Sequence, residues 1–194
     1  KAGVIGTLGN GPVGQLAPTQ NTTPDIIAIN AVLEGMVNAE VRVVAMEASS
    51  HGLVQGRLDG LAICAGIITN LSRDHLDYHG SMDAYRDAKA LLARNATLQY
   101  LVLNQDDAAV CEMAALSSPT AKVITFSLRA DSSATIKASR LEYSADGLSI
   151  DVSAGEQTIR LDSSLVGEFN ASNLLAAVAG LLAVGIQLQQ AVEA

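Results

Sequence analysis

The apolar run Leu61–Ile68 (LAICAGII) constrains this chain more than any other stretch. A short continuous run of that kind reads as a strand buried on both faces, the sort found in parallel sheets. Thr69–Leu92 follows at once and crowds Asp74, His75, Asp77, His79, Asp83, Asp87 and Lys89 into one span. The chain has three histidines, His51, His75 and His79, so two of them fall here. Open α/β sheets place ligand sites just beyond the C-terminal ends of their strands. The polar span therefore marks the first place to look for chemistry.

The flanking segments fit the same architecture. Lys1–Gly6 reads as a strand and Thr7–Gln20, with Gly9, Gly11, Gly14, Pro12 and Pro18, as a loop. Thr23-Pro24-Asp25 reads as a helix start with Thr23 as N-cap. Ile26, Ile29, Leu33, Met36 and Val37 form the apolar stripe of that helix, and Val41–Met46 is a second buried strand. Ser81 caps a helix running to about Asn95. Tyr100–Leu103 is expected as a strand, Asp106–Leu116 as a helix and Lys122–Phe126 as a strand. Such alternation means a parallel sheet covered by helices. From Thr135 the texture changes. Ile136–Tyr143, Leu148–Val152 and Thr158–Leu161 alternate apolar and polar residues between two turn phrases, as antiparallel hairpins do. Phe169–Ala183 returns to helix, with Asn170 as a cap. The fold expected is α/β, a mainly parallel sheet flanked by helices, with a small antiparallel extension near Thr135–Leu161, all within one domain over residues 1–194.

A hydrophobic content of 49% argues for a packed core. A net charge of −8 argues against nucleic acid or an anionic membrane as partner. A phosphate ligand stays compatible, because a metal or a helix N-terminus holds one locally. Cys64 and Cys111 lie in strand-like and helix-like runs and read as reduced core residues of a cytoplasmic protein. Leu174–Ile186, the most apolar segment, is too short to span a bilayer and contains Gly180 and Gly185. Both chain ends look cut rather than finished.

Several residues have two readings. Glu47 ends an apolar strand and is either a surface carboxylate or a cation ligand; Ser49, Ser50 and His51 behind it favour the second. His75 beside Asp74 is a metal ligand or an ordinary loop histidine, and magnesium's preference for oxygen favours the latter. Lys89 is a solvated helix lysine or a partly buried amine able to take up carbon dioxide as a carbamate. Asn170 and Asn173 are caps, or amides that read the edge of a base.

With these residues in view the chain resembles the Mur ligase family, through its central domain and in its tripeptide-forming branch. The resembling phrases are NTTPD at Asn21–Asp25, MEASSHGLVQGRLDG at Met46–Gly60, ITNLSRDHLDYHGSMDAYRDAKALL at Ile68–Leu92, LNQDD at Leu103–Asp107 and GEFNASNLLAA at Gly167–Ala177. The resemblance implies ATP-dependent addition of a diamino acid to UDP-MurNAc-L-Ala-D-Glu through an acyl phosphate, in cell-wall assembly. Meso-diaminopimelate is favoured over L-lysine as the amino acid added. By the same resemblance Glu47 holds one Mg2+, His75 and carbamylated Lys89 hold a second, and these three residues form the catalytic set. Asn21, Thr22, Thr23, Ser49, Gln55 and Arg57 match the substrate-binding set, and Asn170 and Asn173 the pair near adenine. A monomeric, cytoplasmic full-length protein is implied. Gln20 departs from the acidic residue expected at its position, and no G-x-x-G-K-[ST] phosphate loop occurs in the sequence. The N-terminal nucleotide-binding and C-terminal amino-acid-binding domains of the family have no counterpart in these residues. This chain alone is therefore expected not to ligate. The alternatives are a folylpolyglutamate or cyanophycin synthetase, against which Ser49, Gln55 and Arg57 speak, and a non-catalytic muropeptide-binding module.

Overall fold

The computed structural model describes every residue, Lys1–Ala194. The chain divides into two compact units: Lys1–Leu61 with His75–Leu92, and Ala62–Asp74 with Ala93–Ala194.

The first unit is built on a three-stranded sheet. β1 (Ala2–Gly6) is central, with β2 (Gly9–Pro12) antiparallel on one side and β3 (Val43–Met46) parallel on the other. The crossover from β1 to β3 contains α1 (Ile26–Asn38), as a parallel pair requires. Ile5, Ile29 and Met36 are buried at the centre, with Val32, Leu33, Val41, Val44, Met46 and Leu61 packed around them. The stripe read from the sequence is thus partly inward, but Val37 faces out at 72% exposure, one position past the buried Met36. α2 (Ser50–Val54), α3 (Leu76–His79) and most of α4 (Met82–Ala93) complete the unit.

β3 is not the buried strand expected of Val41–Met46, since its four residues are exposed or half-buried and Val43 is 52% exposed. Two other local expectations fail here for identifiable reasons. β2 lies within the expected loop. Its sequence, Gly-Asn-Gly-Pro, has no side-chain alternation to read, and its order comes from backbone pairing to β1. Thr23 is not the cap of α1. Asp25 is, its carboxylate accepting from the N–H groups of Ile27 and Ala28 at 3.0 Å each. Thr23 is fully buried and its hydroxyl is used elsewhere, since a buried hydroxyl needs partners of its own. At α4 the reading holds: the Ser81 hydroxyl accepts from the Ala84 N–H at 3.1 Å.

The second unit carries a six-stranded sheet in the order β4-β5-β6-β7-β8-β9, from β4 (Ala65–Ile68), β5 (Tyr100–Asn104), β6 (Lys122–Ser127), β7 (Ile136–Ser144), β8 (Gly147–Ala154) and β9 (Gln157–Ser163). The first four strands are parallel and the last two pairings are antiparallel. That is the mainly parallel sheet with an antiparallel extension. Leu101, Val102 and Leu103 of β5 are all fully buried, so this strand is covered on both faces. In β8, Leu148, Ile150 and Val152 point inward while Ser149, Asp151 and Ser153 alternate outward, as expected of hairpins with one wet face. The β7–β8 turn depends on Gly147 at φ 152°, where a Cβ would run into the Ser163 carbonyl. α6 (Glu168–Ala183) lies on the sheet, burying Ala171, Leu175, Val178 and Ala179 beside Phe126, Ile136 and Ile150. α7 (Leu188–Glu193) packs on β9 and α6.

Differences from expectation in this unit are confined to ends. Only Ala65–Ile68 of the run Leu61–Ile68 pairs as a strand, and Cys64 is exposed rather than a core residue. Ile67 is also 39% exposed, because β4 is an edge. Asp106–Leu116 splits into α5 (Ala108–Glu112), capped by Asp107, and a short 3-10 turn over Met113–Leu116. α6 begins at Glu168 with Gly167 as its N-cap residue, so Asn170 sits inside its first turn instead of capping it.

Candidate active site

Parallel pairing of β1 with β3 brings Ile5 level with Met46, and the ladder continues with the Glu47 N–H donating to the Ile5 carbonyl at 2.8 Å. Gly6-Thr7 and Glu47 therefore leave the sheet side by side. Gly6 is needed for this approach: a Cβ there would lie 2.8 Å from the Glu47 carboxyl carbon. The Thr7 hydroxyl donates to Glu47 Oε2 at 2.6 Å and the Thr7 N–H to the same oxygen at 3.2 Å.

Asn21-Thr22-Thr23 is tied to the same place. The Thr22 and Thr7 hydroxyl oxygens lie 3.2 Å apart. The Thr23 hydroxyl donates to the Glu47 carbonyl at 2.7 Å and accepts from the Ser49 N–H at 2.9 Å. Thr23 thus stitches the loop to the exit of β3. Ser49 caps α2, accepting from the Gly52 N–H at 3.1 Å, which leaves its own O–H to donate. Asn21 and Glu47 are exposed, while Thr22 and Ser49 are half-buried.

Arg57 and Gln55 fix one another. The Arg57 guanidinium donates to the Gln55 Oε1 through Nε at 3.0 Å and Nη2 at 2.6 Å, and through Nη1 to the Thr23 carbonyl at 2.6 Å. Two of its five N–H groups stay uncommitted, enough for a carboxylate or phosphate oxygen pair. Gln55 passes the linkage on, its amide donating to the Tyr78 hydroxyl at 3.1 Å.

Beyond Gln55 lies a cluster of rings. His51 meets Tyr78, His75 and His79 at centroid distances of 3.9, 5.1 and 5.5 Å. Tyr85 stacks on His79 at 5.2 Å and meets His75 edge-on at 5.9 Å. The Lys89 ammonium sits 5.2 Å from the same Tyr85 ring centre, a cation–π contact one helical turn along α4. His75 and Lys89 therefore flank one buried ring. Lys89 is half-buried, which departs from a fully solvated helix face. His75 has φ 52°, a left-handed conformation uncommon outside glycine. The His79 ring exchanges a hydrogen bond with the buried Ser50 hydroxyl at 2.9 Å. Burial lowers its pKa, and the His51 and His75 rings lower it further against the opposing pull of Asp77.

Glu47, Thr22, Thr23, Ser49, Gln55, Arg57, His75 and Lys89 thus fall in one unit, linked through hydrogen bonds and stacked rings. Gln20 is exposed beside Asn21. Asn170 and Asn173 form a separate pair in the second unit, three residues apart on α6; the Asn170 amide donates to the Val166 carbonyl at 2.8 Å and Asn173 is exposed. Reading the sequence missed Thr7, Tyr78 and Tyr85. Tyr85 had a signal, standing four residues before Lys89 on a helix. Thr7 and Tyr78 had none, because their partners are distant in sequence.

No group of three or more His, Cys, Asp or Glu side chains is gathered as a metal site. The groups present still suit a cation that brings phosphate oxygens with it. Mg2+ binds through one or two carboxylates plus phosphate and water. Glu47 lies in a cradle that a Gly6 Cβ would fill, with Oε2 held by Thr7 and Oε1 making no hydrogen bond.

A family model described as the Mur ligase middle domain matches residues 1–181. The UDP-N-acetylmuramoyl-L-alanyl-D-glutamate--2,6-diaminopimelate ligase of Pseudomonas syringae pv. tomato is 44% identical over 190 residues, covering 98% of this chain and 39% of that protein. A solved structure of a ligase with the same description superposes with a TM-score of 0.91 at 36% identity, over 99% of this chain and 39% of the other. MurF from Acinetobacter baumannii shares the fold, with a TM-score of 0.76 at 20% identity over 90% of this chain and 38% of that one. This chain thus spans 39% of the length of the first of these relatives.

Proposed function

Because the chain belongs to the Mur ligase family, matching its middle domain, we propose that it is the catalytic middle section of an ATP-dependent ligase. The full-length protein joins meso-diaminopimelate to UDP-MurNAc-L-Ala-D-Glu. ATP phosphorylates the terminal carboxylate of the acceptor. The amine of the diamino acid then displaces phosphate, giving the amide, ADP and inorganic phosphate.

The observation that carries this reading is the convergence of Asn21–Thr23, Ser49, Gln55 and Arg57 on the exit of β3, where Glu47 stands. A guanidinium with two free N–H groups beside a free serine O–H and a threonine-lined loop suits an acidic peptide. In this reading Glu47 holds one Mg2+, and His75 with the Lys89 carbamate holds a second. The cations supply charge neutralisation at the phosphates as the acyl phosphate forms. Lys89 reaches the carbamate when its neutral amine adds to carbon dioxide with loss of a proton. Tyr85 contacts both groups, with the Lys89 amine 5.2 Å and the His75 ring 5.9 Å from its centre. Asn170 and Asn173 supply amides for adenine. A nucleotide-linked substrate and ATP imply a cytoplasmic reaction, and no helix is long and apolar enough to cross a membrane.

The test is to supply the full-length protein with ATP, Mg2+, UDP-MurNAc-L-Ala-D-Glu and either meso-diaminopimelate or L-lysine. Phosphate release and a tripeptide mass are expected with the former. Lys89→Ala should lower turnover at least about 100-fold, roughly 2.7 kcal/mol of barrier, with partial rescue by a small added carboxylate. Turnover on a folate and not on the muropeptide would overturn the proposal. The 194 residues alone are expected to release no phosphate from ATP.

A further inference from the structure

The Glu47 carboxylate is held at one oxygen only. Oε2 accepts both hydrogen bonds from Thr7, and Oε1 accepts none. Thr7 has a single hydroxyl proton to give. At 2.6 Å from a carboxylate oxygen, that proton belongs to the bond with Glu47, the stronger acceptor. Thr7 Oγ1 also lies 3.2 Å from Thr22 Oγ1. That second contact must then run the other way, with Thr22 donating and Thr7 accepting. The relay has one polarity: Thr22 to Thr7 to Glu47.

Two consequences follow from this polarity. Oε1 is the Glu47 oxygen that would be open to a cation. The Thr22 hydroxyl, its proton spent on Thr7, meets a ligand as an acceptor only and selects an N–H over a carbonyl. We propose that Thr7 is a positioning residue that couples the cation ligand Glu47 to the substrate loop, fixing Oε1 as the ligand oxygen and Thr22 as acceptor for a substrate N–H. The proposal rests on the ligase reading above. It concerns a residue outside the substrate and metal sets that reading uses.

The test uses the full-length protein. Mn2+ binding is followed by electron paramagnetic resonance with a non-hydrolysable ATP analogue, and UDP-MurNAc-L-Ala-D-Glu binding by calorimetry without ATP. Thr7→Val is expected to weaken Mn2+ binding about tenfold or more, as loss of a hydrogen-bond partner behind a metal ligand does. It should also weaken dipeptide binding several-fold, because Thr22 can then turn its proton toward the ligand. Thr7→Ser keeps the hydroxyl and should restore both. Thr7 is exposed, so neither variant should shift the thermal midpoint. Unchanged Mn2+ affinity in Thr7→Val, with loss in Glu47→Gln, would overturn the role of Thr7 while leaving the ligase reading intact. Equal loss in Thr7→Val and Thr7→Ser would reduce Thr7 to a structural part and overturn the role as well. A wild-type protein that binds neither Mn2+-nucleotide nor dipeptide would remove the ligase reading and this inference together.

Discussion

The six-stranded unit and the three-stranded unit are held by the same forces in different proportions. In the first, Val102, Phe126, Ile136, Ile150 and Leu175 are fully buried in one continuous core that α6 shares with the sheet. In the three-stranded unit the core around β1 is small, built on Ile5, Ile29 and Met36, with Leu58, Tyr85, Ala88 and Ala90 buried elsewhere in the unit. Its functional segments are joined instead by side-chain hydrogen bonds through Thr7, Thr23, Gln55 and Arg57, and by stacked rings. Apolar burial is strong and non-directional, whereas hydrogen bonds are weaker in net terms but fix geometry. The contrast gives one unit the larger continuous apolar core and leaves the segments of the other more dependent on directed side-chain contacts.

Phe126→Ala is the harshest test of that division. Truncating a fully buried phenylalanine costs about 3–5 kcal/mol, so urea unfolding should show a large loss of stability. A loss under about 0.5 kcal/mol, the size of a surface change, would mean that the core does not carry the unit. Thr23→Val probes the other side. It leaves the Glu47 carbonyl without its hydroxyl donor and the Ser49 N–H without its acceptor, at about 1–3 kcal/mol. Faster amide exchange confined to the Asn21–Asp25 and Glu47–Gly52 segments is the expected signature. Exchange rising across the whole unit would show that Thr23 supports the fold and not only the site.

The smallest effect belongs to the wet face of the hairpins. The Ser149 hydroxyl and then the Arg160 guanidinium hold the Asp162 carboxyl below the usual aspartate range. The unfolded chain therefore binds more protons at Asp162 than the folded one in acid. The stability it contributes is present above the unfolded pKa and is lost as pH falls through the folded value. The urea midpoint should fall slightly less between neutral and acid pH in Asp162→Asn than in wild type. Asp162 is well exposed, so screening keeps the change small. Identical pH dependence in both proteins would assign the acid response to other carboxylates.

Much of the six-stranded unit is legible in the sequence. β5, β6 and the three hairpin strands announce themselves through continuous apolar runs or strict alternation, because their side chains are sorted by burial. The turns at Asp146-Gly147 and Gly155-Glu156 carry their own chemistry. β2 was invisible because two glycines, an asparagine and a proline have no face to sort. The sequence points to Thr23 and not Asp25 as the cap because both residues are good caps, and a partner far along the chain decides between them. Cys64 looks like core in the sequence because an apolar run does not say where pairing begins.

The candidate site divides in the same way. The sequence by itself determined which residues were available: the acid after β3, the asparagine–threonine loop, the serine cap, and histidines with a lysine in one polar span. Each is a local statement about residue type and spacing. Only the tertiary structure decided that Thr7 and Thr22 meet at Glu47, that Gln55 bridges Arg57 to Tyr78, and that His75 and Lys89 share the ring of Tyr85. These contacts join residues separated by long stretches of chain. Hydrogen bonds and ring contacts act over a few ångströms, so their partners are chosen by how the strands and helices bring the backbone together, which no local pattern of residues encodes.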